Sequence, residues 1–249
     1  MGVPFEKLHV PSAYQVVSRE LRRSIVSGNL KPGDQLPSEA EMAEQFGVNR
    51  STVREGIRQL ENDGFVRREG RKRLSVSVPT SSDLAPRASR ALVMHQVTFR
   101  ELWEVARVLE PACAALAALN RTGAQVATLT GIIERTRHAI SNAVWSTRLD
   151  TEFHAAVAEG THNRAFLLSR EPVGLLLYPA FETLHPLLPQ ALGRMLDAHE
   201  RIATAIVAGD VAEAELWMRK HIVDFRRGWE MAHLNMDVPV TLPGGISEA

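Results

Sequence analysis

An aspartate and a histidine stand four residues apart in the run LDTEFHAAV, as Asp150 and His154. On a helix that spacing puts both side chains on one face, one turn apart. His199 in DAHERI and His221 in RKHIVDF fall within two later helical stretches. Carboxylate and imidazole together suit a borderline divalent ion, Zn²⁺, Ni²⁺, Mn²⁺ or Fe²⁺. These four donors, from three helices, could converge inside a bundle and leave positions open for water or a small ligand. The ordinary alternative is a surface or core histidine, and His9, His95, His138, His162, His185 and His233 have no such spacing.

A second chemistry lies earlier in the chain. In RSTVREGIRQL, Arg50, Arg54 and Arg58 recur every four residues, while Val53, Ile57 and Leu60 line another face. A helix buried on one side and lined with arginine on the other suits a DNA major groove, since the guanidinium fork bonds two acceptors at once. Solvated arginines on an ordinary amphipathic helix are the bland alternative. The context favours the groove: a preceding helix over 38–46, Gly47 for a left-handed turn, and Asn49 as N-cap with a bond from near Thr52. Tyr14, Val17, Leu21 and Ile25 mark a helix over 12–27, ending at Gly28. Phe65-Val66 and the alternating run 74–78 read as two strands with Gly70 at the tip between them.

Net charge is zero, with 29 Lys+Arg and 29 Asp+Glu, so nothing global advertises nucleic acid. Locally, however, residues 50–73 hold eight Lys/Arg against four Asp/Glu, and phosphate binding responds to local charge. Residues 80–97, with Pro79 just before and Pro86 within, read as a linker. Beyond it helices are expected over 98–119, 124–142, 146–160, 163–177, 189–208 and 211–234. Thr122 and Asp210 are their candidate N-caps and Gly160 and Gly209 their candidate stops. Leu102, Leu109, Leu116, Leu129, Ile132, Ile202, Ile206 and Met218 are the candidate core, and the prolines from Pro172 to Pro189 should break helices. Residues 235–249, rich in Pro and Gly, read as a flexible tail. The fold class is mainly α: a three-helix and hairpin module, then an all-α bundle of six or seven helices. The lone Cys113 fits a reducing compartment and a buried packing role. No signal peptide is apparent and no apolar run approaches the ~20 residues that span a bilayer, so a cytoplasmic protein is expected.

The N-terminal residues Gly33-Asp34, Leu36-Pro37-Ser38-Glu39, Phe46-Gly47-Val48, Arg50, Thr52-Val53-Arg54-Glu55, Leu60 and Gly64 resemble the winged helix-turn-helix of GntR-family bacterial transcription regulators. The resemblance implies DNA contacts by Arg50, Ser51, Thr52, Arg54, Gly70 and Arg71. The wing departs from the family's G-x-G, reading Gly70-Arg71-Lys72-Arg73, which makes it more basic. The second half resembles the FCD ligand-binding domain of the FadR-like branch. It does so through residues 101–111, Asp150 and His154, Asn163, His199, residues 205–210 and His221. In metal-containing members an aspartate and three histidines hold a divalent ion, and these match Asp150, His154, His199 and His221. Zn²⁺ or Ni²⁺ is favoured. The acyl-CoA-binding branch lacks that set. An arginine matching Arg107 faces the effector carboxylate in related sugar-acid regulators; a salt bridge to Glu104 or Glu110 is its alternative role.

Two functions fit these features. The favoured one is a homodimeric regulator of a near-palindromic double-stranded operator, by default a repressor released by a small carboxylic (hydroxy or sugar) acid at the metal. It would be nucleoid-associated when bound and have no membrane association. The other is a metalloenzyme acting on a small carboxylate with an appended DNA-binding module, since a metal with open positions can activate water.

Overall fold

The computed structural model describes residues 11–69 and 73–242, and the chain divides into two compact units, 1–84 and 85–249. In the first, α1 (Ala13–Val26), α2 (Glu39–Phe46) and α3 (Arg50–Asn62) surround a small core of Val17, Leu21, Met42, Val53, Ile57 and Leu60. Gly47 ends α2 in the left-handed conformation, and the Asn49 side chain accepts from Thr52 N, both as expected. Strands β1 (Val66–Glu69) and β2 (Arg73–Val76) pair antiparallel, with Val66 opposite Val76. The segment before α2 extends the hairpin, since Leu36 N donates to Leu74 O and Val76 N to Asp34 O. Gly70 and Arg71, expected at the wing tip, lie outside the described residues.

Gly56 lies where α3 crosses α1. A Cβ there would stand 3.0 Å from Tyr14 O, 3.1 Å from Val17 Cγ1 and 3.3 Å from Ser18 N. Two of these atoms are backbone, so the helices themselves must part. Gly56→Val is expected to cost about 1–3 kcal/mol through overpacking. A thermal unfolding midpoint equal to wild type would show that the crossing has slack.

The expected linker is instead largely helical, as α4 (Ser81–Met94), and the division between the units falls within it. Asp83 explains its start: its Oδ2 accepts from Thr80 N at 2.8 Å and Thr80 Oγ1 at 2.7 Å, a cap that outweighs the proline signal. Pro86, in the second turn, removes one backbone donor without ending the helix.

The second unit continues with α5 (Phe99–Asn120), α6 (Gly123–Ser141), α7 (Thr147–Glu159) and α8 (Arg164–Leu177). A 3-10 turn (Tyr178–Ala180), the single-turn α9 (Phe181–Leu184), α10 (Gln190–Ala208) and α11 (Val211–Met231) complete it. Thr122 and Asp210 cap α6 and α11 as expected. The helix α5 packs along α11 and also meets α7, α8 and α10. Leu102, Leu129, Ile132, Ile202, Ile206 and Met218 are buried; Leu109 and Leu116 are only half-buried, because Ala106, Cys113, Ala114 and Ala117 form the inner face of α5. The α8 helix runs through Pro172, and the breaks come later, at residues 178–189.

The expected flexible tail is met only in part: residues 243–249 lie outside the described residues. Residues 235–242 fold back onto the start of α5: Arg100 N donates to Met236 O, Val240 N to Val97 O, and Arg100 forms a two-pronged ion pair with Asp237. Met236 enters the core, supplying apolar burial that the Pro-Gly composition concealed. No helix among the described residues is long and apolar enough to cross a membrane.

Candidate functional site: a histidine–aspartate cluster and an arginine-lined helix

Asp150 and His154 lie on α7, His199 on α10 and His221 on α11, and their donor atoms all lie within 4.8 Å of one another. His221 Nε2 is 3.2 Å from both His154 Nε2 and His199 Nε2. Asp150 Oδ1 is 3.4 Å from His199 Nε2 and 3.9 Å from His154 Nε2. Bonds of about 2.0–2.1 Å put neighbouring tetrahedral donors roughly 3.3–3.4 Å apart, so these separations suit one small cation. Asp150 Oδ1 is buried and has no hydrogen-bond partner, an orphan that a cation would satisfy. The donor set of imidazoles and carboxylate is therefore compatible with a divalent metal site.

The charges around the cluster agree. Burial pushes the Asp150 carboxyl up to about 6, against the pull of His154. Burial, and then the neighbouring His221 and His154 rings, hold His199 well below the ordinary histidine range. Burial first, and then His154, push His221 down to about 3. Both rings therefore present neutral nitrogens, the form a metal needs. Asp150, His154 and His199 are buried, whereas His221 is half-buried.

Behind the cluster stands a relay that the sequence reading missed. His154 Nδ1 donates to Glu110 Oε2 at 2.9 Å, which turns Nε2 toward the other donors. Arg170 Nε donates to Glu110 Oε1 at 2.9 Å, and its Nη1 to Glu171 Oε2 at 3.0 Å. Burial would raise the Glu110 carboxyl, but the Arg170 guanidinium and then His154 hold it down at about 2. Gly174 leaves room for this guanidinium: a Cβ there would meet Arg170 Nη2 at 2.6 Å. Tyr178 stacks on His154 with ring centroids 4.1 Å apart. The available signal was a charge inside an apolar helical run, Glu110 in ARVLEPACAAL and Arg170 in AFLLSREPVGLLL. Cys113 is buried as expected, and burial, then Glu110, push its thiol up to about 12, leaving it inert.

Arg107 is the arginine expected to face an effector carboxylate. It is exposed on α5, with its guanidinium carbon 5.5 Å over the Trp103 ring. Ala106 takes the inward position and Glu110 is engaged by Arg170 and His154, and Arg107 forms an ion pair with neither Glu104 nor Glu110 among the described residues.

In the first unit the face of α3 carries Arg50, Ser51 and Arg54 exposed and Thr52 half-buried. Both Ser51 Oγ and Thr52 Oγ1 donate to Asn49 Oδ1, at 2.7 and 2.8 Å, leaving their acceptor lone pairs for outside donors. Arg54 Nε and Nη2 both donate to Glu39 Oε2, at 3.0 and 2.8 Å. Arg50 has no ion-pair partner among the described residues. This face can meet phosphates and base edges without rearranging the core beneath it.

The family profile for bacterial regulatory proteins of the gntR family matches residues 13–76, and that for the FCD domain matches residues 101–224. The HTH-type transcriptional regulator LutR of Bacillus subtilis is 31% identical over 204 residues, covering 80% of this chain and 93% of LutR. The chain belongs to the GntR family. Its relatives within that family include the Uxu operon transcriptional regulator of Escherichia coli K12, 30% identical over 221 residues, 86% of this chain and 85% of that protein. A solved structure, Streptococcus agalactiae GntR, superposes with a TM-score of 0.60 at 25% identity over 86% of this chain and 99% of its own. The chain is thus a transcription regulator of the GntR family with a C-terminal FCD domain, and the enzyme alternative falls away: the gntR profile and these relatives are transcription regulators. Regulators of this family bind operators and are typically dimers.

Proposed function

We propose that this regulator is a repressor whose hold on its operator is released when a small carboxylic acid, of the hydroxy- or sugar-acid class, binds a divalent ion at Asp150, His154, His199 and His221. The observation that carries this reading is the convergence of three imidazole Nε2 atoms on the orphaned Asp150 oxygen. Zn²⁺ and Ni²⁺ suit the nitrogen-rich set best. Once bound, the ion supplies positive charge and open positions for a carboxylate or hydroxyl oxygen. The chain's own residues hold the donors in register, keep two rings neutral through burial, and exclude bulk water. Release needs a difference in the acid's affinity between DNA-bound and free states. Among similar proteins the Glc operon protein of Escherichia coli is an activator by name and NanR of Salmonella arizonae a repressor by name, so the direction of control varies among them.

On the DNA side, a homodimer would present two copies of α3 to half-sites of a near-palindrome. Arg50 and Arg54 would carry base or phosphate contacts, with Ser51 and Thr52 beside them and Gly70 and Arg71 from the wing. Arg50→Ala and Arg54→Ala are each expected to cost about 1–3 kcal/mol if the residue reads a base edge. Arg50 should give the larger loss, because part of the Arg54 fork is already spent on Glu39. Titration against the upstream region of its own operon at several salt concentrations checks this. Near-wild-type affinity in both variants would move recognition away from α3.

A further inference from the structure

Two cavities reach the cluster, and each does so at His221. An open cleft of about 470 Å³ between α10 and α11 is lined in part by His221, Arg194, Asp224 and Arg227. A small inner pocket of about 10 Å³, room for one water, is lined by His221, Arg194 and Asp224 among apolar side chains. His221, the half-buried donor, thus stands between the ion site and the outside. Beside it Arg194 Nε lies 3.2 Å from Asp224 Oδ2, yet Nε forms no hydrogen bond, so the pair is loose. Arg227 follows Asp224 by three residues on α11, on a neighbouring face, and has no ion-pair partner among the described residues. Arg201 and Lys220, whose charged groups lie 4.4 and 4.3 Å over the Trp217 ring, add two more positive charges to the rim. Against these cations the cleft sets the carboxylates of Asp197 and Asp224, leaving an excess of positive charge.

We infer that the α10–α11 cleft recognises a small acid carrying at least two carboxylates, one directed at the ion beside His221 and another held by Arg194 and Arg227. The inference rests on the reading of the cluster as a metal centre open to an acid. Asp224 shows that a carboxylate fits against Arg194, and an incoming one would take its place. His221 and Asp224 are three residues apart on α11, about 4.5 Å along the axis, near the span between carboxylates on a short carbon chain. A monocarboxylate reaches the ion and leaves Arg194 with Asp224. A second carboxylate gains a charge-assisted, two-pronged contact with a guanidinium.

The test is calorimetric titration of Zn²⁺-loaded protein with acetate, succinate and propane-1,2,3-tricarboxylate, with metal content measured after each run. Wild type is expected to prefer the acids with two or three carboxylates over acetate by about ten- to hundredfold, the worth of one added charged hydrogen-bond contact. Arg194→Gln and Arg227→Gln should lose most of that preference while keeping their zinc and their acetate affinity, and Arg107→Gln should keep the preference. Metal-dependent acetate binding with no preference in wild type, or a preference untouched in both cleft variants, would overturn the inference and leave the metal-centred reading standing. Absence of metal-dependent binding of any of the three acids would overturn both.

Discussion

Asp150→Asn is expected to make the metal-free protein more stable while removing its tight metal binding. In the fold the Asp150 carboxyl titrates at about 6 because burial raises it, against 3.8 for the unperturbed group. One unit is worth about 1.4 kcal/mol, so keeping the carboxylate ionised and buried at neutral pH costs about 3 kcal/mol. Because the folded value lies above the unfolded one, this group favours the fold below about pH 4, and the advantage is gone once pH passes about 6. Asparagine carries no charge at any of these pH values. The variant should therefore gain up to about 3 kcal/mol over wild type at pH 7.5, and the gain should shrink toward nothing below about pH 4. Added metal should reverse the order, since an ion that binds only the fold stabilises it by mass action. Unfolding curves of both proteins, with chelator and with metal, across this pH range check the prediction. A variant no more stable than wild type in chelator at pH 7.5 would mean that Asp150 is not forced into an unfavourable charge.

Arg170 is expected to matter through a different route. It is 1% exposed, and its guanidinium is the ionic partner of buried Glu110, which in turn orients His154. Arg170→Met leaves the Glu110 charge buried beside a lone histidine and should cost about 3–5 kcal/mol. Replacing both partners, with Arg170→Met and Glu110→Leu, should return most of that stability, since apolar side chains of similar volume often substitute for a buried pair without loss. The double variant should still bind metal about 10- to 100-fold more weakly, because nothing then fixes the His154 ring. Recovered stability together with wild-type metal affinity would reduce the relay to a packing feature.

The DNA-binding unit was readable because its signals are local. Gly47, Asn49 and the two stripes of α3 each act within a few residues, and the structure bears them out. The cluster was half readable. The spacing of Asp150 and His154 announces one face of α7, but the meeting with His199 and His221 depends on how α7, α10 and α11 pack, which periodicity does not encode. Family resemblance supplied that pairing, as it supplied the expectation for Arg107, which is exposed on α5 beside Trp103. Arg170 and Glu110 were hidden for a related reason: each lies in a largely apolar stretch of its helix, and only the packed bundle shows that they answer each other. The units do divide within 80–97, but composition concealed the helix there and the contacts of residues 235–242. Proline and glycine marked both segments as irregular, yet the Thr80–Asp83 cap and the burial of Met236 outweigh that tendency.

The central claim is that this regulator carries an ion at the four-residue cluster. Elemental analysis of tag-free protein, wild type beside the double variant His199→Ala with His221→Ala, tests it most directly. About one divalent ion per wild-type chain is expected and almost none in the variant, with the helical content of both alike. Equal metal in the two preparations, or none in wild type after incubation with Zn²⁺ or Ni²⁺, would contradict it.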